Sequence, residues 1–349
     1  MVTGNVADGF EPVRDAFAEV LREQGGPGAG VACWHDGRWV IDLVGGNWIA
    51  ESMVMPYSVS KPFAALPALV LVDRDMLDLD APMQRYWPEF TGDATLRQAL
   101  SHQSGIVGLD EPAPTDLFYD WDRACGMLAA QEPEWSPGSA FGECALFYGH
   151  LVGEPVRRVD GRSLGTFLRE EVTAPLGIEF GFGLSDDKQR NVVDLHGLRA
   201  FADALADKPE LYRRAIGNPP GAFDDAVVNS SRFRSAEIPA INGHGTARGV
   251  ARMYVDLMSG RILSAGLLAE MSSPQCNGVD QVMGSNVSWG FGVAVDADGF
   301  GMGGTGGHYG GWSRVGGYAF AFVTSVMGTH DRGERIEAAL REVIGAPPL

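Results

Sequence analysis

Basic residues are scarce in this 349-residue chain: 27 Lys and Arg stand against 45 Asp and Glu, a formal charge of −18. A nucleic-acid groove needs clustered Lys and Arg on one face, and no such cluster occurs, which argues against a nucleic-acid partner. The acidity is read as serving solubility. Long apolar runs are missing too. The longest, Pro62 to Val72, has 11 residues, where a membrane-spanning helix needs about 20, so no membrane association is expected. Cysteine is sparse: Cys33, Cys125, Cys144 and Cys276 are scattered with no C-x-x-C pair. They read as reduced thiols rather than a metal clip or redox pair. No H-E-x-x-H or comparable ligand spacing is present, so no metal site is expected. The N-terminal Met-Val-Thr-Gly-Asn-Val-Ala-Asp lacks the basic residues and apolar stretch of a signal peptide, and a cytoplasmic location is expected.

The hydrophobic fraction of 45% and charged fraction of 21% are those of an ordinary globular protein with a full core. Helical periodicity runs from Phe10 to Gln24 and is stopped by Gly25, Gly26 and Pro27. Two strand-like runs, Gly30–His35 and Arg38–Val44, flank Asp36-Gly37, a hairpin signal. From Leu77 to about Leu268 the chain is helix-like and rich in loops, with helices expected over Leu96–Ser101, Trp121–Ala130, Phe147–Val159 and Arg248–Leu257. Strand character returns at Val287–Val295 and Tyr318–Val326, and Arg332–Ile344 closes the chain as a helix. Strands at both ends around a helical middle suggest one sheet built from the two termini. The expected division is residues 1–75 with 285–349 as a sheet-and-helix domain, and 76–284 as an inserted, mainly helical one.

The chemistry-bearing pattern is Ser58-Val-Ser-Lys61. Residues three apart share one face of a helix, so a hydroxyl is placed beside an amine that can accept its proton. That is the minimum for acyl transfer through a covalent intermediate. The helix that follows is apolar all round and is expected at the centre of the molecule. Pro67 inside it is expected to kink the helix or expose a carbonyl. A second candidate, the glycine-rich Gly299–Gly307, is no dinucleotide fingerprint. Such a fingerprint opens a helix, whereas this run leads through His308, Tyr309 and Trp312 into more strand. No cofactor is expected.

The S-x-x-K tetrad is followed by Leu77-Asp-Leu-Asp-Ala-Pro82, Tyr86-Trp-Pro-Glu-Phe90 and Leu100-Ser-His-Gln-Ser-Gly105. Then come Trp135-Ser-Pro-Gly138, Gly149-His-Leu-Val-Gly-Glu154, Pro175-Leu-Gly177, Asn242-Gly-His-Gly-Thr-Ala247 and Phe300–Gly307. In this order the blocks resemble the serine hydrolases of the class C β-lactamase and penicillin-binding-protein type, above all their carboxylesterase branch. The resemblance implies an α/β (α+β) fold: an antiparallel sheet flanked by helices, an inserted mostly helical domain, and an active site in the cleft between them.

By the same resemblance Ser58 is nucleophile and Lys61 proton acceptor. The second motif of that family supplies a Tyr a few residues after the Pro-Gly. Counting from Pro137-Gly138, Glu143 takes its place, followed by Cys144 and Ala145. The third motif, Lys-Thr-Gly or His-x-Gly, falls on Met302-Gly303-Gly304, so its protonatable residue is gone. The glycines allow close approach of substrate, with the backbone N–H groups of Ser58 and Thr305 as oxyanion donors. His308 and Tyr309 are candidates to line the cleft, His308 in place of the missing cation. Tyr148 is read as packing, and His102 and His244 as scaffold histidines.

A carboxylate about 4 Å from an ammonium gains roughly 4 kcal/mol at an effective dielectric near 20, so Glu143 at that range would hold Lys61 protonated. The serine proton could then pass to Glu143 itself. The leading expectation is a serine hydrolase acting on a small-molecule ester or amide through a Ser58 acyl-enzyme. An acyltransferase on the same chemistry is the alternative. A reading of another class is a binding or regulatory protein that keeps the scaffold without turnover. The oligomeric state is left open, a homo-oligomer included.

Overall fold

A computed structural model describes residues 1–349. Nine antiparallel strands form its main sheet. The N-terminal part supplies β1 (Val2–Val6), β2 (Gly28–His35) and β3 (Arg38–Gly46). The C-terminal part supplies β4 (Cys276–Val279), β5 (Asn286–Trp289), β6 (Ala294–Val295), β7 (Gly299–Gly304), β8 (His308–Ser313) and β9 (Tyr318–Thr324). Their spatial order is β1-β3-β2-β9-β8-β7-β6-β5-β4, so β9 pairing with β2 joins the two ends of the chain. Asp36 and Gly37 make the β2–β3 turn with positive φ at both residues, as their side chains permit.

The two faces of the sheet can be read from β9. Tyr318, Phe320 and Phe322 point to one side, into a core shared with Val13, Phe17 and Val20 of helix α1 (Glu11–Gln24). Ile336 and Leu340 of the C-terminal helix, Asp331–Ile344, complete that core. Ala319, Ala321 and Val323 point to the other side and join the large core of the helical region. Small side chains on this second face let Ala247–Met258 pack close, and Gly30 faces Ala247 across it. Successive strand residues alternate between faces, so both cores come from the same strands.

Helix α2 (Ser60–Asp73) is the axis of the helical region, buried from Ser60 through Leu71. Each Leu, Val or Phe it buries contributes about 1.5–3 kcal/mol. It packs on Tyr148–Asp160, and Phe63 stacks on Phe180 with ring centroids 3.6 Å apart. The helix runs through Pro67 unbroken.

One expectation about the elements needs correction, and two strands fall where none was expected. β4 starts at Cys276, ahead of the boundary expected at 285; its polar, half-exposed sequence carries little strand signal at a sheet edge. The run Val287–Val295 is two strands, because Gly290 to Gly292 turn the chain between them, with φ 69° at Gly292. Val2–Val6 is a strand that the sequence reading did not identify, three of its five residues being exposed.

Candidate active site

Ser58 lies on a 3₁₀ turn, Tyr57–Val59, that runs directly into α2. The sequence predicts one helical face for the S-x-x-K pair. The two side chains do meet, with Ser58 on the 3₁₀ turn just ahead of the α-helix and Lys61 in its first turn. Tyr57 is held at φ 48°, a left-handed conformation that a bulky residue rarely adopts. Its buried ring and the hydrogen bond from its hydroxyl to the Ala222 carbonyl, 2.8 Å, hold it there. Such strain costs of order 1–3 kcal/mol and persists only where the surroundings impose it. The serine that follows Tyr57, Ser58, is partly exposed.

Lys61 is fully buried, and its three ammonium donors all find acceptors. These are Ser58 Oγ at 2.8 Å, the Ala145 carbonyl at 3.2 Å and Glu143 Oε1 at 2.9 Å. The Ser58 hydroxyl donates to the same Glu143 oxygen at 3.4 Å. Burial pushes the Glu143 carboxyl up, but attraction to Lys61 and the hydrogen bonds from Lys61 and Ser58 prevail. It is held below the usual carboxylate range.

Gly304, on β7, runs past the turn that carries Ser58. A Cβ there would fall 2.0 Å from the Pro56 carbonyl oxygen, so only glycine allows this approach. Neither the Ser58 nor the Thr305 N–H is taken up by a backbone acceptor in the turns and loops. Met302 lies on the same sheet face as Gly304 but is buried in an apolar cluster with Phe141 and Trp289.

His308 is on that face too, yet shut beneath the 305–307 turn, its Nδ1 accepting from Thr324 N–H at 3.4 Å. Burial pulls its pKa down to about 3, so it stays neutral at ordinary pH and supplies no cation. Tyr309, one residue on, points to the opposite face with Phe320 and the terminal helices. Strand alternation therefore separates two candidates that are adjacent in sequence. Tyr148 donates its hydroxyl to the Leu100 carbonyl at 3.0 Å and is fully buried.

The sequence reading missed two neighbours of Glu143. Asp280, at the β4–β5 turn, is a buried carboxylate that accepts from Trp289 Nε1, Val282 N–H and Met283 N–H, each at 2.9 Å. Burial raises its pKa, and the Glu143 charge adds to that. Tyr212 is half-buried, and its phenol is pushed up by burial and then by Glu143. Both are far from Glu143 along the chain, and no spacing in the sequence points to them.

The β-lactamase family matches this chain over residues 13–344. The esterase/β-lactamase LipL of Mycobacterium tuberculosis is 32% identical over 276 residues, 72% of this chain and 63% of that protein. The chain spans less than two thirds of the length of the curated relatives it matches. A crystal structure of a family VIII carboxylesterase superposes with a TM-score of 0.89 at 33% identity, covering 98% of this chain and 100% of that one. EstA from Arthrobacter nitroguajacolicus superposes with a TM-score of 0.85 at 27% identity, covering 97% and 98%. With its antiparallel sheet, helical region and S-x-x-K turn, the chain belongs to the β-lactamase family, on the side of its carboxylesterases.

Proposed function

We infer that the protein is a serine hydrolase that cleaves an ester or amide of a small molecule through a Ser58 acyl-enzyme, with Glu143 as base. The observation that carries this reading is the meeting of Ser58 Oγ, Lys61 Nζ and Glu143 Oε1 within 3.4 Å of one another. Ser58 Oγ attacks the substrate carbonyl carbon as its proton passes to the Glu143 carboxylate. The carbonyl π pair moves to oxygen, which the Ser58 and Thr305 N–H groups receive. Lys61 donates to Oγ and offsets the negative charge that develops there. As the tetrahedral intermediate collapses, the bond to the leaving alcohol or amine breaks and Glu143 returns the proton to it. Water, deprotonated in turn by Glu143, attacks the acyl carbon, and the bond to Ser58 Oγ breaks as Glu143 returns the proton to Oγ, which releases the acid. An acceptor alcohol in place of that water would make the same acyl-enzyme a transacylase.

The apolar setting of Met302 supports substrates without a carboxylate beside the scissile bond, since no cation on β7 would meet one. The test is intact-protein mass after exposure to a small fluorophosphonate, wild type against Ser58→Ala. A single adduct lost in the variant is expected. Absence of an adduct across fluorophosphonates of different size would overturn the reading and favour a scaffold that binds without acylating.

A further inference from the structure

Glu143 stands on a loop between Trp135 and Tyr148 that contains no helix or strand, so something else must hold its carboxylate within reach of Ser58 and Lys61. The backbone on both sides of it is tied to one residue. Gly142 N–H donates to the His102 carbonyl at 3.0 Å, and Cys144 N–H donates to His102 Nδ1 at 3.2 Å. His102 adopts φ 61°, a conformation that histidine enters more readily than most residues. Its ring is wedged between Tyr148 and Trp289, with centroids 4.8 Å and 4.6 Å away. Because Nδ1 accepts, the neutral ring carries its proton on Nε2, which has no partner. Burial, the largest influence, pulls the ring down to about 3, so Nδ1 remains an acceptor across the ordinary pH range.

We propose that His102 is the positioning residue for the catalytic carboxylate, clamping the backbone before and after Glu143 so that its side chain stays on the Ser58–Lys61 pair. A scaffold histidine that only fills space would need neither bond to the neighbours of position 143. The proposal rests on the acyl-enzyme reading above. With the clamp loosened, Glu143 would lose contact with Lys61 and Ser58 while staying shielded from water. Its carboxyl would then titrate at higher pH. The titratable groups that face it are Lys61 from α2, His102, Asp280 from the β4–β5 turn and Tyr212 from the helix Glu210–Gly217.

The experiment compares His102→Phe, which keeps a ring but lacks the acceptor, with His102→Asn, which tolerates positive φ and offers an amide oxygen. Two readouts are taken: the rate of Ser58 phosphonylation by a fluorophosphonate against pH, and the titration of the Glu143 carboxyl by carbon-13 NMR, assigned with Glu143→Gln. His102→Phe is expected to slow phosphonylation by about 10²-fold, the cost of a misplacement near 1 Å, and to raise the Glu143 midpoint. His102→Asn should recover most of both. Where the Phe variant fails to fold, His102→Gly, free of strain at that φ, takes its place. Unchanged rate and titration in the folded loss variant would overturn the proposal, and so would a lowered melting temperature alone. Should Glu143→Gln react as fast as wild type, the base reading fails, while the Glu143 titration still judges the clamp.

Discussion

The Glu143 carboxylate lies 2.9 Å from the Lys61 ammonium, with side-chain exposures of 8% and 0%. A buried pair of this kind is costly to break from one side, because the remaining charge keeps its burial and loses its partner. The same two groups also hold the serine hydroxyl, so stability and chemistry are coupled at one point.

Glu143→Gln should therefore lower both. Loss of a general base reduces kcat by about 10²–10⁴-fold, and loss of one partner from a buried pair destabilises by roughly 3–5 kcal/mol. Hydrolysis of a p-nitrophenyl ester and urea unfolding measure the two effects. Glu143→Tyr should be more active than the Gln variant, since a phenolate can again take the serine proton; equal activity would argue against any proton role at this position.

The pH profile should carry the signature of the depressed Glu143 carboxyl. It must be ionised to accept a proton, so kcat/KM should hold from neutral pH down past the ordinary carboxylate range and fall only as Glu143 protonates. Stability follows the same sign: the contribution of this group is present above its unfolded pKa and is lost as pH falls through the lower folded one. An acid limb centred above the usual carboxylate range would contradict this.

Glu337 behaves in the opposite sense. Buried beneath the sheet, with the Tyr318 hydroxyl donating to it at 2.6 Å, its carboxyl is raised to about 7, chiefly by burial. Folding then favours its protonated form. The stabilisation is complete below the unfolded pKa and is lost as pH rises through about 7, a loss on the order of 3 kcal/mol. Glu337→Gln should flatten that decline in denaturant titrations between pH 5 and about 8.

Gly304→Ala should damage the site without touching a reacting group. The added methyl meets the Pro56 carbonyl oxygen and pushes β7 away from the turn carrying Ser58. Phosphonylation of Ser58 is expected to slow by about 10²-fold. An unchanged rate would mean that the approach of β7 is not needed for an activated serine.

Tyr148→Phe separates packing from chemistry. The lost bond to the Leu100 carbonyl should cost about 1 kcal/mol in urea unfolding while kcat stays near wild type. A large fall in kcat would give this phenol a proton-transfer role that its hydrogen bond does not suggest.

Ser58 and Lys61 were legible in the sequence because their relation is local, three residues apart with an apolar helix behind them. Glu143 was legible by counting from Pro137-Gly138. His308 and Tyr309 were harder, because which face a strand residue takes depends on register, and register is set by pairing with distant strands. Asp280 and Tyr212 come to feel the Glu143 charge only through tertiary folding, and the two bonds made by His102 depend on a backbone angle that sequence does not display. Among the elements, amphipathic α1 and the Asp36-Gly37 hairpin could be read directly, whereas β1 and β4, short and half-exposed edge strands, carry almost no pattern.

The candidate machinery draws its serine from an early 3₁₀ turn, its lysine from the start of α2, its carboxylate from the helical region and its second oxyanion donor from the turn after β7, while β9 bridges β2 to β8. A chain still emerging from the ribosome has the nucleophile long before the last strands exist to complete its surroundings. Acylation of Ser58 should then mark the moment when the two ends of the chain have met, and a reactive probe would count finished molecules rather than synthesised ones.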